Sequence, residues 1–236
     1  MLKEELIKRS PIRILEKSIQ GGLGVGNLGV FTARKGVGKT ACLVHVSTDY
    51  LLRGQKVLHL SFADDPHHIE NWYKHVFREV ASAYKLENTL DNYDQIIKNR
   101  LIINFKQRDA VYERIQKTID AIAGGSEFVP RCLIIDGFSF YDHGEEEFRL
   151  WKAMAGERDV EVWFSATLHR EELKLDARGI PAPVNRFYDL FSVIIMLQPK
   201  PNYIDLKLLK DHDARDLEKL RLKLDPTTLL IANHRV

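Results

Sequence analysis

The sequence predicts an α/β protein: a mostly parallel central sheet flanked by helices, with an antiparallel C-terminal extension. Three observations carry that expectation. Short apolar runs alternate with amphipathic stretches from Leu28 to Leu197, the pattern of parallel strands covered by helices on both faces. Beyond Leu197 the period becomes two: Ile204, Leu206 and Leu208 alternate with Asp205 and Lys207, and Leu220, Leu222 and Leu224 with Arg221 and Lys223. That is the signature of antiparallel strands with one buried face. Between the first apolar run and the first amphipathic stretch lies the turn A-R-K-G-V-G-K-T, Ala33 to Thr40.

Taken in order, Leu28-Gly29-Val30-Phe31 reads as the first strand. The helix after the turn carries Leu43, Val44, Tyr50 and Leu51 on one side and stops at Gly54, a suitable C-terminal cap. Val57 to Phe62 is a buried strand, and Ile69, Trp72, Tyr73, Val76, Phe77 and Val80 mark an amphipathic helix. Leu101 to Phe105 is a strand, and Val111, Ile115, Ile119 and Ile122 mark a helix ending at Gly124-Gly125. Cys132 to Asp136 is a central strand, Phe148, Trp151 and Met154 lie on a helix, and Val160 to Phe164 and Phe191 to Leu197 are strands. Asp225-Pro226 turns into a last strand near Leu229–Ile231. No repeat or low-complexity linker interrupts the chain, so residues 1–236 read as one domain, with 1–13 as an N-terminal extension and 168–184 as a mobile loop of nearly balanced charge.

The turn at Ala33–Thr40 is a phosphate-binding loop. Gly36 and Gly38 let backbone amides curl around an anion, and the helix beyond aims its positive end at it. Lys39 reaches the β- and γ-phosphates, the Thr40 hydroxyl ligates magnesium, and Arg34 and Lys35 add charge nearby. Ala33 stands where the motif has its first glycine, while Val37 and Ala41 complete the loop's binding set. Such a loop needs an acid at the end of a hydrophobic strand to hold the magnesium shell, and Leu133-Ile134-Ile135-Asp136 supplies it in Asp136. Ser61-Phe62-Ala63-Asp64-Asp65-Pro66 places two acids where another strand ends. Pro66 suits a first helical position, which makes Asp65 the N-cap and leaves Asp64 as the candidate base that orients water.

Composition excludes little. A hydrophobic share of 44% and a charged share of 29% are ordinary for a globular chain, and a net charge of +2 gives no bulk attraction to nucleic acid or anionic membrane. The charged start Met1-Leu2-Lys3-Glu4-Glu5 is unlike a secretory signal, and no apolar run approaches the roughly 20 residues of a membrane span. A cytoplasmic protein is expected. Cys42 and Cys132 read as small buried hydrophobes, and His67, His68 and His75 lack the spacing of a helical metal pair.

Gly21-Gly22-Leu23, the A-R-K-G-V-G-K-T loop and the stretch Val57–Pro66 resemble the RecA-fold ATPases, particularly the KaiC/RadA-like branch. The loop wording is also similar to DnaB-type helicase domains. The resemblance runs from about Ile14 to Ile231. It implies a RecA-like P-loop fold, ATP and Mg2+ as ligands, catalysis assisted by Lys39, and the catalytic acid at Asp64, a methylene shorter than the usual glutamate. It implies γ-phosphate sensing by Ser165 or Thr167. It also implies that Lys210, in a K-x-R element here reading Lys210-Asp211-His212, reaches the nucleotide of an adjacent copy in a homo-oligomer, with a six-membered ring as the closed arrangement. His212 lacks the permanent charge of arginine. In the family the loop at 168–184 faces a central channel and contacts DNA; here a solvated loop fits its charge equally well. Phe138, Phe140 and Tyr141 suit either base stacking or core packing.

The expected function is ATP binding with hydrolysis at oligomer interfaces. Two rivals stand beside it: a nucleotide-gated binding module that barely hydrolyses, and an ATP-controlled DNA-binding protein of the recombination type.

Overall fold

The central strands are apolar at most positions, so both faces of the sheet are buried. A computed structural model describes residues 7, 10–62, 66–83, 89–107, 111–125, 127–169, 173–217 and 219–233. Its elements are α1 (Ile12–Ser18), β1 (Leu28–Ala33), α2 (Lys39–Leu52), β2 (Val57–Ser61), α3 (Pro66–Ala83), α4 (Thr89–Ile97), β3 (Arg100–Asn104), α5 (Tyr112–Gly125), β4 (Cys132–Asp136), α6 (Glu145–Glu157), β5 (Glu161–Thr167), a 3₁₀ helix (Val184–Leu190), β6 (Val193–Pro199), β7 (Ile204–Asp211), β8 (Leu222–Leu224) and β9 (Ile231–Asn233).

The strands form one sheet in the order β3-β2-β4-β5-β1-β6-β7-β8-β9. Strands β3 to β6 in that order run parallel, and β7, β8 and β9 continue the sheet antiparallel. One apolar layer joins Phe31, Ile134 and Trp163 to α1, α2 and α3. The opposite layer joins Val30, Ile135 and Phe164 to α5, α6 and the 3₁₀ helix. The order places β5 between β1 and β4, so the phosphate loop after β1 and Asp136 at the end of β4 straddle the end of a third strand. Gly29 makes that neighbourhood fit: a Cβ there would lie 2.7 Å from the Trp163 ring on β5.

The structure departs from the sequence reading at several places and decides between its alternatives at others. Residue 13, expected to end an extension, falls inside α1, whose Ile12 and Leu15 are buried. Arg13 and Arg53 both pair with the buried Asp49 carboxylate of α2, which fastens α1 to the core. Helix α4 and the 3₁₀ helix had no counterpart in the periodicity reading. The last strand starts at Ile231 because the turn before it is longer: Asp225 Oδ1 accepts from the amides of Thr227 and Thr228 at 2.8 Å, and its carbonyl accepts from Leu229 N. In the segment 168–184, Leu175 bridges Pro181, and Asp176 accepts from the backbone of Arg178 and Ile180. Phe138 and Phe140 are core residues, while Tyr141 packs on His169 near the surface.

Two histidines lie inside this core. His59 on β2 bonds the Tyr73 hydroxyl at 3.0 Å, and that hydroxyl meets Ser47 Oγ at 2.5 Å. His45 on α2 bonds the Leu229 carbonyl. Burial pulls both rings from 6.5 down to about 4. The unfolded chain therefore takes up these protons first, so the stability they carry is complete above pH 6.5 and is lost as pH falls toward 4. Each should cost the fold up to roughly 3 kcal/mol across that window. Urea unfolding at about pH 7.5, 5.5 and 4.5 should show the loss, and His59→Gln should flatten the pH slope relative to the parent.

Candidate functional site

The phosphate loop joins the end of β1 to the start of α2. Gly36 (φ 82°) and Gly38 (φ 105°) both adopt left-handed backbone, which favours glycine at each. Gly38 is also the N-cap of α2 and offers no side chain to the helix start. The first amides of a 14-residue helix are thus left for an anion to satisfy. A Cβ on Gly38 would also run into the Leu224 side chain of β8.

Lys39 is only 8% exposed. Its ammonium donates to the carbonyls of Ala33 and Arg34, both at 3.1 Å, and so spans the inside of the loop. Burial lowers its pKa to about 8, against the opposing pull of Asp136. Thr40 Oγ1 donates to Asp136 Oδ2 at 2.8 Å. Ser165 Oγ donates to Asp136 Oδ1 at 2.6 Å and accepts from Gly137 N at 2.8 Å. The carboxylate is therefore held on both oxygens, from α2 on one side and β5 on the other. Ala33 pairs with Thr167 across β1 and β5, and Ser61 with Asp136 across β2 and β4, so these strand ends converge at one edge.

That edge opens into a cavity of about 520 Å³. Lys35, Gly36, Gly38, Lys39 and Thr40 form one side of it, and Asp136, Gly137, Ser165 and Thr167 another. Ser165 and Thr167, equivalent candidates in the sequence, differ here: Ser165 is buried and holds Asp136, whereas Thr167 is exposed at the cavity. Ala41 is wholly buried in α2, Val37 is half-buried against the core, Arg34 is exposed, and Ala33 contributes its carbonyl. Asp64 and Asp65 lie outside the described residues. On either side of them, Phe62 N bonds Asp136 O at 2.8 Å and α3 starts at Pro66.

Sequence reasoning missed the remaining wall, made by His68 and Trp72 of α3 and by Pro226 and Leu229 of the turn between β8 and β9. Trp72 sits in the apolar stripe of α3 and was indistinguishable from its core neighbours Ile69 and Val76. No motif marks Pro226 or Leu229.

Lys210 is not at this cavity. It pairs with Ile194 on β6, and Ile194 lies beside Val30, three residues before Ala33 along β1. At about 3.3 Å per residue that is ~10 Å back from the loop toward the other edge. Its ammonium donates to the Tyr188 carbonyl at 2.9 Å and stands 4.2 Å from the Tyr188 ring, which the Arg178 guanidinium also covers at 4.1 Å. Burial lowers its pKa. His212 points inward: Nδ1 meets Asp211 Oδ1 at 2.7 Å and Nε2 meets the Leu23 carbonyl at 3.0 Å. The Gly21-Gly22-Leu23 segment is thereby tied to the end of β7.

A family model described as "AAA domain" matches residues 2–154, which include the phosphate loop and Asp136 and end before β5. No curated protein matches the sequence. Among solved structures the chain is similar to one described as an ATPase domain, at TM-score 0.69 and 16% identity over 95% of this chain and 90% of that one. At that identity the likeness shows the fold, and the fold is the RecA-like one. Among the described residues, no helix is long and apolar enough to cross a membrane.

Two substitutions probe this geometry. Gly38→Ala should cost about 1–3 kcal/mol from the left-handed backbone and the Leu224 contact, read as a lower urea midpoint, and should weaken nucleotide binding measured by calorimetry. Ser165→Ala should leave one oxygen of the buried Asp136 carboxylate without its donor and lower stability by about 1–3 kcal/mol, with the Asp136→Asn, Ser165→Ala double variant less than additive.

Proposed function

The chain belongs to the AAA domain family, and on that premise we propose that it binds ATP in the phosphate loop and hydrolyses it with magnesium at interfaces between copies of itself. One observation carries the reading: Thr40, Asp136 and Ser165 form a bonded set at the foot of the loop, with Lys39 beside it. The loop amides and the uncapped start of α2 bind the phosphates. Lys39 exchanges its two carbonyl acceptors for phosphate oxygens and offsets the charge that builds up on them. Thr40 and Asp136, an alcohol and a carboxylate already within bonding distance, are the hard oxygen donors that magnesium takes, and they would hold it. When bound, the ion neutralises charge on the β- and γ-phosphates. Asp64, just beyond the end of β2, aligns water for in-line attack, and Thr167 meets the γ-phosphate from the end of β5.

Lys210 lies toward the opposite edge of the sheet from its own phosphate loop, which supports a role at an adjacent copy's nucleotide in a head-to-tail ring. A second reading draws on the same region. The Lys210 ammonium and both His212 nitrogens are already bonded within the chain, which favours a nucleotide-gated binding module with slow turnover.

Lys39→Ala should abolish measurable ATP binding in calorimetry while circular dichroism is unchanged; equal affinity for variant and parent would remove the phosphate-loop assignment. Asp64→Asn should retain ATP binding and lower turnover roughly 100-fold, the scale of losing a general base. If Asp65→Asn carries that loss instead, the two acids exchange roles.

Assembly has its own test. A mixture of Lys39→Ala and Lys210→Ala chains should recover turnover that neither shows alone, and light scattering should show ATP-dependent mass. A monomer that hydrolyses ATP normally would exclude the shared site, and a monomer that binds without turnover would favour the second reading.

A further inference from the structure

We infer that Gln107 is a positioning residue for turnover: its side-chain amide clamps the exits of β2 and β4 together, and ATP binding does not depend on it. The inference rests on the reading that the chain hydrolyses ATP.

The last ladder pair between β2 and β4 is Ser61 with Asp136, and the bond from Phe62 N to Asp136 O at 2.8 Å closes it. Beyond that bond the Phe62 and Gly137 carbonyls converge on one atom, Gln107 Nε2, at 3.2 and 2.6 Å. A carbonyl only accepts, so two of them aimed at one point need a donor there. Of the two ends of a carboxamide only the nitrogen can serve, and it carries two hydrogens, one for each oxygen.

Gln107 is brought there by the exit of its own strand. Phe105 N donates to Ser61 O at 2.8 Å, and the buried Phe105 ring stacks on Phe62 with centroids 5.7 Å apart. Two residues later the Gln107 side chain spans the exit of β2 to reach that of β4.

What it holds is a wall of the phosphate-loop cavity. Gly137 lines that cavity in a left-handed backbone, φ 83°, directly after Asp136. Its amide donates to Ser165 Oγ and its carbonyl takes Gln107, so the turn after β4 is held from β5 on one side and from beyond β3 on the other. On β2, Phe62 is fixed at both backbone groups, its amide by Asp136 and its carbonyl by Gln107. Asp64, the acid proposed to align water, follows Phe62 by two residues in the sequence. The clamp thus sets the spacing between the strand end that bears Asp136 and the strand end that leads to Asp64. In-line attack is sensitive to such spacing, since a displacement of about 1 Å costs on the order of 100-fold in rate. The phosphate-binding groups belong to the turn between β1 and α2, on the other side of β5 from this clamp, so affinity is left alone.

Steady-state ATP turnover of the full chain, with calorimetry of ATP binding beside it, tests this. Gln107→Ala should lower kcat by about 10- to 100-fold while the ATP Kd stays within about twofold of the parent's, which also reports that the variant is folded. Gln107→Glu keeps the shape and exposure but, when ionised, presents only acceptors; it should lose at least as much turnover as the alanine variant. Gln107→Lys, with donors on a side chain of similar reach, should restore most of the loss. A surface residue without this role would tolerate glutamate and gain nothing from lysine over alanine. Unchanged kcat in Gln107→Ala, a loss confined to Kd, a glutamate variant as active as the parent, or a lysine variant no better than alanine would each overturn the clamp. Failure of the hydrolysis reading looks different: the parent then binds ATP without turnover, and the positioning role falls with it.

Discussion

The Asp136 carboxylate is the joint on which the edge of the sheet is assembled. One oxygen takes the Thr40 hydroxyl from the first turn of α2, the other takes Ser165 from β5, and the residue's own carbonyl takes the amide of Phe62 beyond β2. A single residue thus connects the phosphate loop, the strand that separates it from β4, and the segment leading to the two acids. An ionised carboxylate this deeply placed is stable only when its oxygens are hydrogen-bonded. The strand order meets that need by setting the end of β5 between the ends of β1 and β4.

The second constraint is the charge on Lys39. Burial opposes the ammonium, and the two loop carbonyls with Asp136 nearby offset that opposition in part. A phosphate anion would be a far better partner than a carbonyl, and this difference is a physical source of affinity. Glycine at the helix N-cap acts in the same direction. A serine or aspartate at that position would satisfy α2 from within and compete with an anion for the helix amides.

The antiparallel end of the sheet contributes in two opposite directions. Through β8 and the turn it returns to the phosphate loop, where Leu224 packs on Gly38 and the 225–230 turn is pinned by histidines of α2 and α3. Through β7 it runs to the far edge, where Lys210 and Arg178 share the Tyr188 ring. Both cations lie within 4.2 Å of the ring centroid, and the ring quadrupole, the Tyr188 carbonyl on Lys210 and Asp176 on Arg178 each take part of the charge. The same extension therefore walls the phosphate-loop cavity through Pro226 and Leu229 and holds Lys210 on the Tyr188 carbonyl at the remote edge.

Local chemistry was legible in the sequence. The phosphate loop needs glycines at fixed offsets, a lysine and a hydroxyl, and the acid strand needs four apolar residues before Asp136; both are contiguous and lie where the sequence placed them. Strand and helix periods were legible for the same reason, since burial of one face imposes a repeat on neighbouring residues. The short α4 and the 3₁₀ helix escaped because too few residues repeat to establish a period. Only the tertiary structure separated Ser165 from Thr167, brought Trp72 and Leu229 to one cavity, and turned His212 toward Leu23. Each of those outcomes depends on which distant segment packs against the residue. A hydrogen bond between positions 189 apart in the chain, such as that from His212 to Leu23, leaves no local pattern in either segment.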